Sequence, residues 1–408
     1  MALTNKLNDI GDAIRAKNGE TDKYKLDEMP AAIGRIPVAP PEVPWVRPAE
    51  WPNLDLLPIA EDEQVVYLSL DNRDRDALLA LNTNANGYTV TIGFINDDDE
   101  YEAIDSYTPN IANWDPPSSN YFSNIDKDYL VVKITSSKDI TFVSFRSAKN
   151  KDGLSMNNRQ QCSVVEIYYS LPKGTTVSYL ACIPTQHVKF INGKTFTSFA
   201  QAFQDARNLK YIEFENCDTS HVTTFKQMFW GCQSLKDTSF LVDLDCSSCT
   251  SLEAMFYGAA SLEAIDLSLL KNTSSVTSVN RMFNTCSSLT YVNVKGFDSS
   301  GVTNFANFIG GIATMEELDL SSFDVTNAEH TTILSSNPRI MRFIPPKGLN
   351  QSISISNGNL VYKPYILELL NALETVDTAP TLTLGAMSLS TLTDVEKTIA
   401  LSKGWKLA

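Results

Sequence analysis

The chain has 408 residues, 43% of them hydrophobic and 20% charged, with a formal net charge of -15 and a pI near 4.7. That length exceeds one ordinary core and predicts two or three globular domains. The acidic surface repels phosphate backbones, which excludes nucleic acid as a partner, and no apolar run approaches the roughly 20 residues needed for membrane insertion.

In residues 1–36, Leu3, Leu7, Ile10 and Ile14 repeat at a 4-3-4 spacing and share one helical stripe. A helix of about 15 residues is marginal alone in water. The stripe therefore predicts a docking surface that anchors the chain and joins copies of it, as a trimer or a dimer. Charges scattered through the first 30 positions are unlike a secretory leader, which predicts folding in a cytoplasm. Residues 37–52 carry prolines at 37, 40, 41, 44, 48 and 52, the composition of a semi-rigid spacer.

From 53 to 185 short alternating runs such as "QVVYLSL", "YLVVKITS" and "SVVEIYYSL" are separated by polar turns. They predict an antiparallel β-sandwich. The acidic loop at Asp97, Asp98, Asp99 and Glu100 has oxygen ligands enough for calcium, but it lacks the alternation and glycine of a calcium loop. It reads as a solvated hairpin tip. Cys246 and Cys249 form a CxxC without a second pair, and His187, His221 and His330 stand isolated in the sequence. Zinc takes four ligands, so the thiols read as small apolar groups, and neither a metal nor a cofactor is expected.

Residues 186–350 repeat. Phe203, Phe229, Phe256, Phe283 and Phe308 mark one column, spaced 26, 27, 27 and 25 residues apart, and Leu209, Leu235, Leu262, Leu289 and Met315 mark another. Ala206, Cys232, Ala259, Cys286 and Gly311 fill a small-residue column between them. A period in the twenties with L-x-x-ϕ-x-ϕ predicts a leucine-rich-repeat solenoid, with the "MFxGC" half as a short convex helix. Two files then point outward from the concave sheet. One runs Tyr211, Asp237, Ala264, Tyr291, Glu317, and the other Glu213, Ser239, Asp266, Asn293, Asp319. The candidate ligand-binding residues are Tyr211, Glu213, Asp237, Asp266, Tyr291, Asn293, Glu317 and Asp319, an acidic strip with no basic member. Residues 351–408 leave the repeat. There "YILELLNAL" predicts a helix, and Thr393 with Glu396 a capping box for a second, which together form an end cap. The expected fold class is multidomain α+β.

The units follow "MFxGCxSLxxIDLSxFDTSxVT" and resemble the BspA-like leucine-rich repeats of bacterial surface proteins and of phages infecting Firmicutes. The opening "LTNKLNDIGDAIRAKNGETDKYKLDEMPAAIGRI" and the ending "APTLTLGAMSLSTLTDVEKTIALSKGWKLA" are similar to the termini of phage tail and head fibre proteins. The resemblance implies a virion appendage, held by its N-terminal segment to other virion proteins and displaying its distal part toward a host-surface glycan or protein. A capsid-decorating head fibre without a receptor and a bacterial surface adhesin are the alternatives. Glu213 and Asp266 are the nearest approach to a glycosidase pair, but any acidic strip juxtaposes carboxylates. No hydrolase, metalloprotease or phosphate-binding motif is present, so no catalytic residue is expected.

Overall fold

The computed structural model describes residues 46–73, 81–83, 88–108, 113–114, 125–136, 143–144, 164–174, 176–181, 183–329, 333–335, 339–355 and 362–408. The Leu3, Leu7, Ile10, Ile14 stripe, the first part of the proline segment and His330 lie outside them.

Seven strands form one mixed sheet. They are β1 (Val65–Asp71), β2 (Thr89–Ile95), β3 (Tyr101–Tyr107), β4 (Tyr129–Thr135), β5 (Val164–Ser170), β6 (His187–Ile191) and β7 (Tyr211–Glu215). Their order is β7-β6-β5-β1-β4-β2-β3. From β5 through β3 every pairing is antiparallel, whereas β5–β6 and β6–β7 are parallel. The tip between β2 and β3 closes on Asn96, whose side-chain carbonyl accepts from the Asp98 and Glu100 N–H groups.

This overturns the expected α+β fold of a sandwich followed by a leucine-rich-repeat solenoid. The molecule is mostly β, and five of the strands before residue 185 share a large mixed sheet with the first two strands of the repeat, while Leu81–Thr83, Asn113–Trp114 and Val143–Ser144 pair separately. The reason lies in β5, where every residue of "VVEIYYS" is buried. Such a strand has neighbours on both edges and cover on both faces. It receives β1 on one edge and β6 on the other. One face of the sheet joins the main apolar core, which continues to Trp405, and the other is covered by Leu54 and Leu57. Residues 46–59 therefore lie across the sheet, with Trp51 buried, rather than spanning free space as a spacer.

The expected convex helices are absent among the described residues, and turns stand in their place. Gln201, Gln227, Ala254, Arg281 and Asn307 all have positive φ, and so do Asp205, Gly231, Gly258, Thr285 and Gly311 four residues on. Left-handed residues at that interval stop a right-handed helix and rotate the peptide N–H groups sideways. Those groups donate to the next repeat: Gln227 to Glu253, Phe229 to Met255 and Gly231 to Tyr257, at 2.8, 2.8 and 2.7 Å. The same rows recur one repeat later from Ala254, Phe256 and Gly258. Within this ladder the phenylalanine column is buried, and its rings stack at 5.4, 5.3 and 5.7 Å from Phe203 to Phe283. Cys232 and Cys286 are buried and donate across the repeat to the carbonyls of Phe203 and Phe256.

Short parallel strands line the opposite side of the repeats: β8 (Ala264–Asp266), β9 (Tyr291–Asn293), β10 (Glu317–Asp319) and β11 (Arg342–Ile344). Three α-helices follow, α1 (Lys363–Ala372), α2 (Ala386–Ser390) and α3 (Asp394–Ser402). Thr393 and Glu396 form a reciprocal capping box at the start of α3. The Lys403 ammonium donates to the carbonyls of Leu370, Asn371 and Leu373, which closes the C-terminus of α1.

Candidate binding face

Strand register carries the two outward files of the repeats beyond the residues expected from sequence. Glu166 pairs with His187 and His187 with Tyr211, while Tyr168 pairs with Lys189 and Lys189 with Glu213. Residues opposite one another on neighbouring strands share a face, so both files run onto the large sheet. At the far end Glu317 pairs with Arg342 and Asp319 with Ile344. The face therefore has basic members, His187, Lys189 and Arg342, which corrects the reading of a purely acidic strip.

At the first end the groups form a compact ionic network. Buried Glu166 sits in it between Arg47 (Nη2 to Oε1, 2.9 Å) and His187 (Nδ1 to Oε1, 2.8 Å). The other ring nitrogen of His187 lies 3.0 Å from Glu213 Oε1. His187, read as an isolated histidine, is thus a bridge between two carboxylates on flanking strands. Burial disfavours its charged form, but the bonds to Glu166 and Glu213 outweigh burial and raise its pKa above the ordinary 6.5. The bond from His187 in turn holds Glu213 below its ordinary 4.5. Protonated, the ring donates from both nitrogens.

Arg47 also donates to the Tyr168 hydroxyl at 2.7 Å and lies 3.1 Å from Asp55. Asp55 accepts from Tyr168 at 2.5 Å. Burial alone would raise the Asp55 carboxyl, yet Tyr168 and Arg47 bring it below the usual carboxylate range. Lys189 completes the network 2.8 Å from Glu215. None of Arg47, Glu166, Tyr168 or Lys189 was singled out from the sequence.

The middle of the face is differently built. Asp237, Asp266 and Asp319 each accept from the backbone N–H two residues on, at 2.8, 2.9 and 2.9 Å, and Asn293 does the same at 3.1 Å. Asp266, Asn293 and Asp319 thereby close the turn that ends each short strand, and Asp237 closes the equivalent turn ahead of the 3-10 helix Ser239–Asp243. Asp266 also accepts from Asn293 at 2.8 Å, which links two repeats. Tyr291 is half-buried, and burial together with Asp266 and Asp319 raises its hydroxyl pKa. At the far end the Arg342 guanidinium, 3% exposed, donates to Glu368 at 2.7 Å and approaches Glu317 at 3.5 Å. The structure thus brings Glu213 to the first network, with Tyr211 opposite His187 on the neighbouring strand, Tyr291 to the centre beside Asp266 and Asp319, and Glu317 to the last network.

Among the described residues no three metal-ligating side chains cluster, and no helix is long and apolar enough to cross a membrane. A family model described as "Mycoplasma protein of unknown function, DUF285" matches residues 197–318 and, overlapping them, 269–338, less than half of the chain. No curated protein and no solved structure matches.

Proposed function

We propose that the chain is a structural fibre protein of a phage particle, whose face from Tyr211 to Arg342 binds a glycan or protein on the host cell surface. One observation supports this reading above the others. The outward files lie in register where strands pair, at His187–Tyr211, Ala264–Tyr291 and Glu317–Arg342, carry aromatic and ionised groups, and are held by backbone ladders that leave little freedom to lose on binding. Attachment to other virion proteins through residues 1–36, and assembly as a dimer or trimer, belong to the same proposal and rest on the resemblance of the chain's two ends.

The test is adsorption of the fluorescently labelled full chain to a panel of Gram-positive cells. Saturable binding to a strain is expected, and its loss in Tyr211→Ala/Tyr291→Ala with melting temperature kept. Undiminished binding by that variant would overturn the face. No binding of the parent to any strain would overturn receptor recognition in favour of a decorating role.

A further inference from the structure

Each repeat closes its polar loop with a four-residue turn in which the N–H of the fourth residue donates to the carbonyl of the first. The turns are Thr219–Val222, Cys246–Cys249, Thr273–Val276, Ser299–Val302 and Val325–Ala328, with N···O distances of 2.9, 2.9, 3.0, 2.9 and 3.0 Å. In three of them the first residue is a hydroxyl that clamps adjacent repeats. Thr219 donates to the Asp243 carbonyl and accepts from the Asp245 N–H at 2.7 Å, and Thr273 and Ser299 do likewise with Asp298 and Asp324. The fourth residue of those turns is valine. The second turn departs from those three at both positions at once, with Cys246 for the hydroxyl and Cys249 for the valine, and the last turn has Val325 and Ala328 there. A hydroxyl clamp and a branched apolar contact have been replaced together by two thiols across one turn.

We propose that Cys246 and Cys249 are a redox site, a dithiol that closes to a disulfide across its turn without unfolding the repeat. A turn of this kind brings its first and last Cα atoms within about 7 Å, which overlaps the roughly 4.4–6.8 Å that a disulfide requires. Both side chains are buried, while Ser247 and Ser248 between them are exposed. Cys249 Sγ donates to the Ser251 carbonyl at 3.5 Å, and the proximity of the two thiols shifts them in opposite senses, Cys249 down and Cys246 up. In the proposed step Cys249 is the attacking group. With a small disulfide such as oxidised glutathione, its thiolate forms a mixed disulfide and expels one glutathione thiolate. Cys246 then loses its proton to solvent and displaces the second glutathione. The protein dithiol is oxidised by two electrons and one small disulfide is reduced to two thiols. Cys232 and Cys286, each bonded to a backbone carbonyl of the preceding repeat, have no such partner thiol in their turns.

The experiment exposes the folded full chain to oxidised glutathione, quenches it with acid, alkylates the remaining thiols in denaturant and maps the peptides. The peptide holding both residues is expected to lose two hydrogens and escape alkylation, to recover on reduction, and to leave the circular dichroism spectrum unchanged. The variant C246T/C249V, which restores the residues of the neighbouring turns, is expected to fold and to show no oxidation of that peptide. Two alkylated thiols after oxidant treatment would overturn the proposal. So would glutathione retained on a single cysteine, or a disulfide that forms only in denaturant.

Discussion

Arg47 reaches Glu166 across 119 residues of sequence, its Nη2 2.9 Å from Oε1 and its Nε 3.1 Å from Oε2. The carboxylate is wholly buried and the guanidinium side chain 14% exposed. A charge held that far from water is tolerated because a partner neutralises it, and removing the partner leaves the cost behind.

Arg47→Met is accordingly expected to lower stability by about 3–5 kcal/mol, measured as the shift of the urea midpoint. Lys133→Met removes a pair with Glu63 whose members are 30% and 32% exposed, separated by 3.7 Å. Its loss is expected to stay below about 1 kcal/mol. Equal effects from the two variants would contradict the placement of residues 46–59 on the sheet.

The His187 bridge sets a pH dependence whose sign follows from its two shifts. The folded pKa of His187 lies above 6.5, so its contribution is complete below 6.5 and disappears as pH rises through the raised value. The folded pKa of Glu213 lies below 4.5, so its contribution is present above 4.5 and disappears as pH falls through the lowered value. The network is strongest between those limits. Urea midpoints followed upward from 6.5 should fall in the parent chain and stay level in His187→Gln. A parallel decline in both would remove the histidine from the account.

Phe256 stacks between Phe229 and Phe283, with interplanar angles of 18° and 12° and no exposed surface. Phe256→Ala opens a cavity that turns cannot easily close, and is expected to cost about 3–5 kcal/mol. Hydrogen exchange should rise first in the rows on either side, since each repeat is supported by its neighbours. Exchange that rises uniformly along the chain would argue against that local coupling.

The period of the repeat was legible because the same slot accepts the same kind of side chain each time, as in the column from Phe203 to Phe308. The conformation of the "MFxGC" half was not. Its second left-handed position carries a glycine in three repeats, Gly231, Gly258 and Gly311, but the first is occupied by Gln201, Gln227, Ala254, Arg281 and Asn307, none of them the residue that signals such a turn. Alternation in "SVVEIYYSL" predicts a strand but not its partners, and the parallel neighbour β6 is what makes one sheet of the expected sandwich and repeat. His187 and Lys189 had a signal available. "HVKFI" aligns with "YIEFE" one repeat later, which places them opposite Tyr211 and Glu213. Arg47 had none, since a bond over 119 residues leaves no local trace.

The backbone rows that replace the expected helices have a further consequence for length. Each repeat passes its N–H groups to the next through an identical pattern, so any internal unit could be duplicated or removed at the ladder without stranding a donor. One added unit would extend each outward file by a single side chain and leave the Arg47 and Arg342 networks at the two ends untouched. The molecule is built like a ruler whose graduations are 25–27 residues, with the outward side chains free to vary between fixed terminals.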